Sequence, residues 1–255
     1  NVLLALGAAA AITRLRISPS LKKLELPISI LVVPFLWLLL ISHPLELNAP
    51  TEAMVGSEMV SQKWLLMRWQ GGFMVLAFAV FMFLSYKRSL SGEVAEQDDE
   101  LPEILPLKKA ILYILVGLVG LGLGGQWIVD SATAIAQSFG MSEALIGLTI
   151  VAVGTSLPEV AASISAARKG NADMAVGNVV GSNIFNVLWV LGVSSLIRPI
   201  EVNQTLLTDF YVAFGAGVLM FVSVIRPKSN EIGRADGYLY LSLYLAYVVY
   251  LVIRG

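Results

Sequence analysis

Long apolar runs, each about the length of one bilayer crossing, alternate with short polar segments along this chain. A helix needs about 20 predominantly apolar residues to cross the hydrocarbon core of a membrane. The pattern therefore predicts one short apolar segment followed by seven full spans. They cover residues 2–12, 26–42, 64–86, 110–137, 143–167, 172–197, 210–225 and 238–253. We expect an all-α fold, a polytopic transmembrane helical bundle.

Composition strengthens this class assignment. Of the 255 residues, 57% are hydrophobic and only 14% are charged, whereas a soluble domain carries about 25% charged residues. The absence of cysteine excludes disulfides and thiolate metal sites. The single histidine, His43, excludes a histidine-rich metal site.

The basic residues are segregated along the chain. Of the 17 lysines and arginines, 13 fall in the segments 13–24, 87–109, 168–171 and 226–237. Cytoplasmic loops of membrane proteins carry an excess of lysine and arginine. These four segments are therefore predicted to be cytoplasmic, which places the C-terminus outside.

Polar residues interrupt two consecutive spans. The first interruption runs from Gly154 to Glu159, and the second comprises Gly177, Asn178, Gly181, Ser182, Asn183 and Asn186. Ionisable and polar groups are expensive in hydrocarbon and usually mark a function. Two interrupted spans in succession indicate an ion or polar-solute site near the middle of the membrane.

The first interruption has the chemistry of a hard-cation site. Glu159 is the only carboxylate deep in a span, and Thr155 and Ser156 precede it by four and three residues, on the same helix face. Pro158 cannot donate a backbone hydrogen bond, and Gly154 loosens the turn, so carbonyl groups nearby should be freed. Carboxylate, hydroxyl and carbonyl oxygens are the ligands of hard cations.

The second interruption would complete such a site from the neighbouring span. Ser182 and Asn186 are separated by four residues and would face the first interruption if the two helices cross there. Calcium prefers six to eight oxygens with net negative charge. Glu159 alone is charge-poor for calcium, which suggests a second carboxylate outside this sequence.

An internal repeat supports that expectation. Residues 1–7 match residues 186–192 at five of seven positions, an offset of 185. The equivalent helices are five places apart in the order of predicted spans, an odd number, so the two copies have inverted topology. We expect residues 1–86 to be the remainder of a first half that lacks its first helices. Residues 87–109 form an acidic cytoplasmic linker, and residues 110–255 form the second half, with the site motifs in 146–191.

The motifs GLTIVAVGTSLPE and GNVVGSNIFN resemble the second α-repeat of the calcium/cation antiporter superfamily, and in particular that of the prokaryotic sodium/calcium exchangers. The resemblance implies an inverted-repeat exchanger fold of ten helices in the cell (inner) membrane, with Na⁺ and Ca²⁺ as transported ions and no cofactor. It also implies a set of ion ligands by motif position. These are the Glu159 carboxylate, carbonyl oxygens of Ala152 and Thr155, hydroxyls of Ser156 and Ser182, the amide of Asn186, and Asn1 as the counterpart of Asn186.

Three other interpretations stay open at this stage. The first is a proton/calcium or other divalent-cation antiporter, because Glu159 can carry a proton as well as a metal. The second is an intramembrane hydrolase, which is disfavoured because a serine nucleophile needs a general base and His43 ends a different helix. We therefore expect no enzyme. The third is a structural fragment without autonomous activity.

The expected surroundings follow from these interpretations. The partners are the two ions and the lipid bilayer, with no nucleic acid. The resemblance implies two amino-terminal gating helices that would lie upstream of this chain. We therefore expect the chain alone not to transport, and to pair with its missing N-terminal segment or with a second copy.

Overall fold

A computed structural model describes residues 1–42, 63–90, 105–141, 146–203, 206–226 and 231–254, and these residues carry all structural statements below. Ten helices are described. They are α1 (Val2–Ile12), α2 (Pro19–Lys23), α3 (Glu25–Ile41), α4 (Arg68–Leu90), α5 (Leu107–Ser138), α6 (the turns Gly147–Val151 and Ala152–Thr155), α7 (Leu157–Arg168), α8 (Ala172–Ile197), α9 (Leu206–Ile225) and α10 (Arg234–Arg254). Four short strands accompany them, β1 (Leu15–Arg16), β2 (Lys63–Leu66), β3 (Ile200–Asn203) and β4 (Glu231–Ile232).

The described helices confirm the predicted spans. Six helices are long and apolar enough to cross a membrane, and α6 with α7 makes a seventh, bent by 45°. The short apolar helix at the start of the chain is α1.

One predicted span was wrong at its start, where a strand precedes the helix. The span predicted from residue 64 begins instead with β2, and its helix starts at Arg68. The cause is a tertiary one: the backbone groups of Trp64, Leu65 and Leu66 are used in a ladder with β3, which local hydropathy does not show.

The chain divides into two compact units. Unit 1 comprises residues 1–17, 95–179 and 229–255. Within it, α1 packs along α10 and against α7. Gly237 lies on the backbone of Ala10 and Ala11, and the buried Tyr240 packs against Gly7. Unit 1 is therefore held together by close helix contacts at small residues, as expected for helices that associate in lipid.

Two antiparallel strands close one end of unit 1. Leu15 pairs with Ile232, and Arg16 pairs with Glu231. The side chains of the second pair also meet, with Arg16 Nε 2.6 Å from Glu231 Oε1. Two segments that are far apart in the sequence are thus joined directly.

Unit 2 comprises residues 18–94 and 180–228. The C-terminal part of α8 packs on α4, and α3 packs on α9. Gly71 lies against Ser195 and the carbonyl of Gly192. The fully buried Gln70 accepts a hydrogen bond from the Met67 N–H and donates one to the carbonyl of Leu39. This side chain ties the start of α4 to the end of α3.

The two units repeat one packing arrangement. Leu15 and Ile200 are separated by the sequence offset of 185, and they pair with Ile232 and Leu66, which are 166 residues apart. At the same spacing of 166, Gly71 and Gly237 make the close backbone contacts of their respective units. The repeat seen in seven residues therefore extends through two strands and two helices of each copy.

Each unit contains residues from both predicted halves, so the units differ from the halves 1–86 and 110–255. The predicted halves follow the order of the two repeats along the chain. This division into halves stays a prediction. Most of the acidic linker 87–109 lies outside the described residues, and so does His43.

Candidate functional site

A break inside one apolar span forms the centre of the candidate site in unit 1. α6 ends at Thr155 and α7 begins at Leu157, with Ser156 between them at φ −93° and ψ −4°. Pro158 occupies the first turn of α7. A proline at this place has no N–H and would clash with the carbonyl four residues earlier in a continuous helix, so the chain bends at Ser156.

The break frees a backbone carbonyl. In a continuous helix the Ser156 N–H would bond to the carbonyl of Ala152, but here it donates to Val153 at 3.0 Å. The Ala152 carbonyl instead accepts hydrogen bonds from the hydroxyls of Thr155, at 3.0 Å, and Ser156, at 3.2 Å. Oxygens from three predicted ligand residues therefore gather at this one carbonyl.

Glu159 lies in the first turn of α7, directly after the break. The positive end of the helix dipole favours a carboxylate there. Its Oε2 atom is buried and has no hydrogen-bond partner among the described residues. A buried carboxylate oxygen without a donor is costly unless a proton or a cation binds it.

Asn1 lies in unit 1 near the helix that carries this carboxylate. It directly precedes the π-helical turn Val2–Leu6, which packs on α7. The structure thus brings together five of the seven predicted ligand residues, listed here in chain order: Asn1, Ala152, Thr155, Ser156 and Glu159.

The other two predicted ligands belong to unit 2. Ser182 is half-buried and Asn186 is exposed, and both lie on α8. Asn186 lies within the π-helical turn Phe185–Leu191, and its repeat counterpart Asn1 directly precedes the π-helical turn Val2–Leu6. That Ser182 and Asn186 bind an ion stays a prediction.

Sequence reasoning missed the hydrogen bonds of two residues next to the site. Asn178 Nδ2 donates to the backbone carbonyl of Glu159, at 3.1 Å, and to the hydroxyl of Ser163, at 2.9 Å. Ser163 is fully buried and donates in turn to the carbonyl of Ala175 at 3.3 Å. The signal was present as spacing, because Ser163 follows Glu159 by four residues and Asn178 precedes Ser182 by four.

α5 also packs on the break. Gly154 is buried, and a Cβ atom at this position would overlap a methyl group of Val129 in α5. The absence of a side chain at Gly154 therefore lets α5 approach the α6–α7 break.

The charge of the candidate site is small. Among the described residues, no three histidine, cysteine, aspartate or glutamate side chains come together as a metal-binding group. The oxygens at the break beside Glu159 are neutral carbonyls and hydroxyls. An apolar bundle in which one span breaks at a carboxylate and freed carbonyls has the architecture of a secondary membrane transporter.

Comparison with known proteins agrees with this class. The family model for the sodium/calcium exchanger protein matches residues 109–253. CaxA of Alkalimonas amylolytica, named a putative antiporter, is 34% identical over 97% of this chain and 73% of its own length. The inner membrane protein YrbG of Escherichia coli is 31% identical over 94% of this chain and 69% of its own length.

The fold is also similar to a solved structure. The sodium-calcium exchanger NCX_Mj, soaked with Na⁺ and Sr²⁺, superposes with a TM-score of 0.70 at 25% identity, covering 98% of this chain and 72% of that one. The chain belongs to the sodium/calcium exchanger protein family. It has the exchanger fold of a multi-pass membrane protein, and its family supports cation antiport as its activity.

Proposed function

We propose that this protein exchanges Na⁺ for Ca²⁺ across a membrane by alternating access, with both ions competing for the oxygens around Glu159. The proposed ligands are the carboxylate of Glu159, the carbonyls and hydroxyls of the α6–α7 break, and the side chains on α8 and before α1. They are Glu159, Ala152, Thr155, Ser156, Ser182, Asn186 and Asn1.

One observation carries this proposal. The Ala152 carbonyl has left the helical ladder and stands in a cluster of hydroxyl oxygens, three to seven residues before an unpartnered carboxylate oxygen of Glu159. A carbonyl and a carboxylate oxygen are both acceptors, so only a donor or a cation can join them. Hydroxyl, carbonyl and carboxylate oxygens are preferred by Na⁺ and Ca²⁺.

Ion entry would exchange one set of interactions for another. The hydroxyls of Thr155 and Ser156 donate to the Ala152 carbonyl. A cation would take that carbonyl, and each hydroxyl would rotate its hydrogen away and offer a lone pair. Because Na⁺ and Ca²⁺ would use the same oxygens, occupation by one ion excludes the other, and their fluxes are coupled.

A proton/calcium antiporter is the second candidate. The specific observation in its favour is the unpartnered Oε2 of Glu159. In an apolar setting the neutral carboxylic acid has a lower free energy than the unpaired carboxylate. A proton could therefore replace Na⁺ as the ion that competes with Ca²⁺.

The proposal includes the orientation in the membrane, with segments 13–24, 87–109, 168–171 and 226–237 in the cytoplasm and the C-terminus outside. In unit 1, three of these segments meet at one end: a cavity of about 320 Å³ is lined by Arg14, Arg16, Gly170, Ala172 and Glu231. This common location supports a common side.

The absence of cysteine allows a clean test of orientation. Lys169→Cys and Arg198→Cys each introduce one exposed thiol, at predicted cytoplasmic and outer positions. In intact cells an impermeant maleimide should label position 198 and not position 169. Labelling of position 169 alone would show that the protein has the opposite orientation in the membrane.

Transport is tested in proteoliposomes that contain the gene product. We expect ⁴⁵Ca²⁺ uptake driven by an outward Na⁺ gradient, and its loss to the level of empty liposomes in Glu159→Gln. Residues 1–255 alone, reconstituted separately, should give no uptake. Glu201→Gln is the matched control, because Glu201 is an exposed carboxylate on β3. Uptake driven by a pH gradient and indifferent to Na⁺ would favour the second candidate. Uptake unchanged in Glu159→Gln would refute the site.

A further inference from the structure

Asn178 connects α8 to the turn of α7 that carries Glu159. The two hydrogens of its amide nitrogen are both used, one for the Glu159 carbonyl at 3.1 Å and one for the Ser163 hydroxyl at 2.9 Å. An asparagine amide has only two hydrogens to donate. The contacts therefore fix the orientation of the amide, since a flipped amide would place its oxygen against the Glu159 carbonyl.

This connection lies next to the bend between α6 and α7. Glu159 is three residues beyond Ser156, where α6 and α7 meet at a bend of 45°. A change of this bend would alter the separation between the Glu159 carboxylate and the Ala152 carbonyl. The amide of Asn178 bonds to the backbone of Glu159 itself. It therefore resists a change in the position of the Glu159 carboxylate relative to the Ala152 carbonyl.

We propose that Asn178 is a positioning residue that sets cation affinity by holding Glu159 in register with the freed carbonyl of Ala152. This inference rests on the proposed function, because it assumes that both oxygens bind the ion. Asn178 needs no contact with the ion for this role. Residues that orient metal ligands in this way typically alter metal affinity by about 10-fold to 100-fold when they are replaced.

The same network supplies a matched control. Ser163→Ala removes the hydroxyl that joins Asn178 to the carbonyl of Ala175. It leaves the hydrogen bond from Asn178 to Glu159 in place. Both substitutions remove buried hydrogen bonds between α7 and α8, but only a change at Asn178 releases the backbone of the proposed ligand.

The experiment compares Asn178→Leu, Ser163→Ala and Glu159→Gln in the protein used for the transport assay. Isothermal titration with Ca²⁺ gives affinity, uptake of ⁴⁵Ca²⁺ gives KM and the maximal rate, and thermal unfolding in detergent gives stability. For Asn178→Leu we expect Ca²⁺ affinity to fall and KM to rise by about 10-fold or more, with the maximal rate changed less. Ser163→Ala should lower thermal stability but keep the affinity within about 3-fold.

The outcomes separate the two proposals. Loss of binding in Glu159→Gln with unchanged affinity in Asn178→Leu would overturn the positioning role alone. Equal loss of affinity in Asn178→Leu and Ser163→Ala would also overturn it, since a general packing effect would then explain both. Unchanged binding in Glu159→Gln would refute the proposed site and the positioning role with it. If Asn178→Leu does not fold, Asn178→Ser replaces it, and failure of both to fold would show that the contact only supports the fold.

Discussion

Gly237 in α10 lies directly on Ala10 in α1: a Cβ atom at position 237 would stand 2.7 Å from the carbonyl carbon of Ala10. Gly71 in α4 makes the corresponding contact, because a Cβ atom there would stand 2.6 Å from the carbonyl oxygen of Gly192. Backbone atoms of a packed helix cannot move aside as a flexible side chain can. Gly237 in unit 1 and Gly71 in unit 2 each lie where a side chain would meet the backbone of another helix.

Replacement of either glycine should destabilise the protein. We expect Gly71→Ala and Gly237→Ala each to cost about 1–3 kcal/mol, the usual penalty for overpacking, seen as a lower midpoint of thermal unfolding in detergent. Gly72→Ala is the control, because its nearest neighbour beyond the helix is a leucine methyl group at 3.9 Å. There alanine should be neutral or stabilising by up to about 1 kcal/mol. Equal effects at positions 71 and 72 would contradict the packing argument.

Gly154 and Val129 should behave as a coupled pair. Gly154→Ala places a methyl group on the Val129 side chain and should displace α5 from the break. We expect lower thermal stability and slower ⁴⁵Ca²⁺ uptake in Gly154→Ala, and substantial recovery of both in the double variant with Val129→Ala. A double-mutant cycle measures the coupling, which for residues in contact is about 0.5–3 kcal/mol. Additive effects would show that the two residues do not share this contact.

Pro158→Ala tests the origin of the bend. Alanine restores the missing N–H and removes the proline ring, so α6 and α7 can join into a straighter helix. The Ser156 N–H could then return to the Ala152 carbonyl, which would be lost to the ion. We expect weaker Ca²⁺ binding by titration and a longer distance between spin labels placed on α6 and α7. If the helix straightens and Ca²⁺ affinity is unchanged, ion binding does not depend on the bend.

The ion pair between Arg16 and Glu231 should contribute little. The distance is short, 2.6 Å, but 87% of the Arg16 side chain is exposed. Exposed ion pairs contribute about 0–1 kcal/mol, because water and salt screen them. Arg16→Ala should change the unfolding midpoint by less than Gly237→Ala does in the same unit. A larger effect would mean that the strand pair depends on this side-chain contact.

The spans and the broken site could be predicted because their causes are local. Hydropathy alone predicts helices of membrane length, and Pro158 with Gly154 marks the place where one of them breaks. Thr155, Ser156 and Glu159 fall within five consecutive residues at this break, which the sequence shows directly. A freed Ala152 carbonyl is expected for the same reason, and the structure adds that two hydroxyls bond to it.

The remaining features depend on residues far apart in the chain. β1 is two residues long, and its partner β4 lies more than 200 residues away, so no local pattern predicts either strand. The first residues of the span at 64 form a strand for the same reason. The sequence shows Asn178 as a polar residue in a span, but its bond to the Glu159 carbonyl depends on how α7 and α8 pack.

The strand pair that joins Arg16 to Glu231 also constrains the order of folding. These residues are 215 positions apart, and α1 finds its main packing surface on α10, the last of the described helices. During synthesis, α1 leaves the ribosome long before its partner does. α1 must therefore remain without its final neighbour until α10 has been made, so completion of unit 1 is a late, post-insertion event.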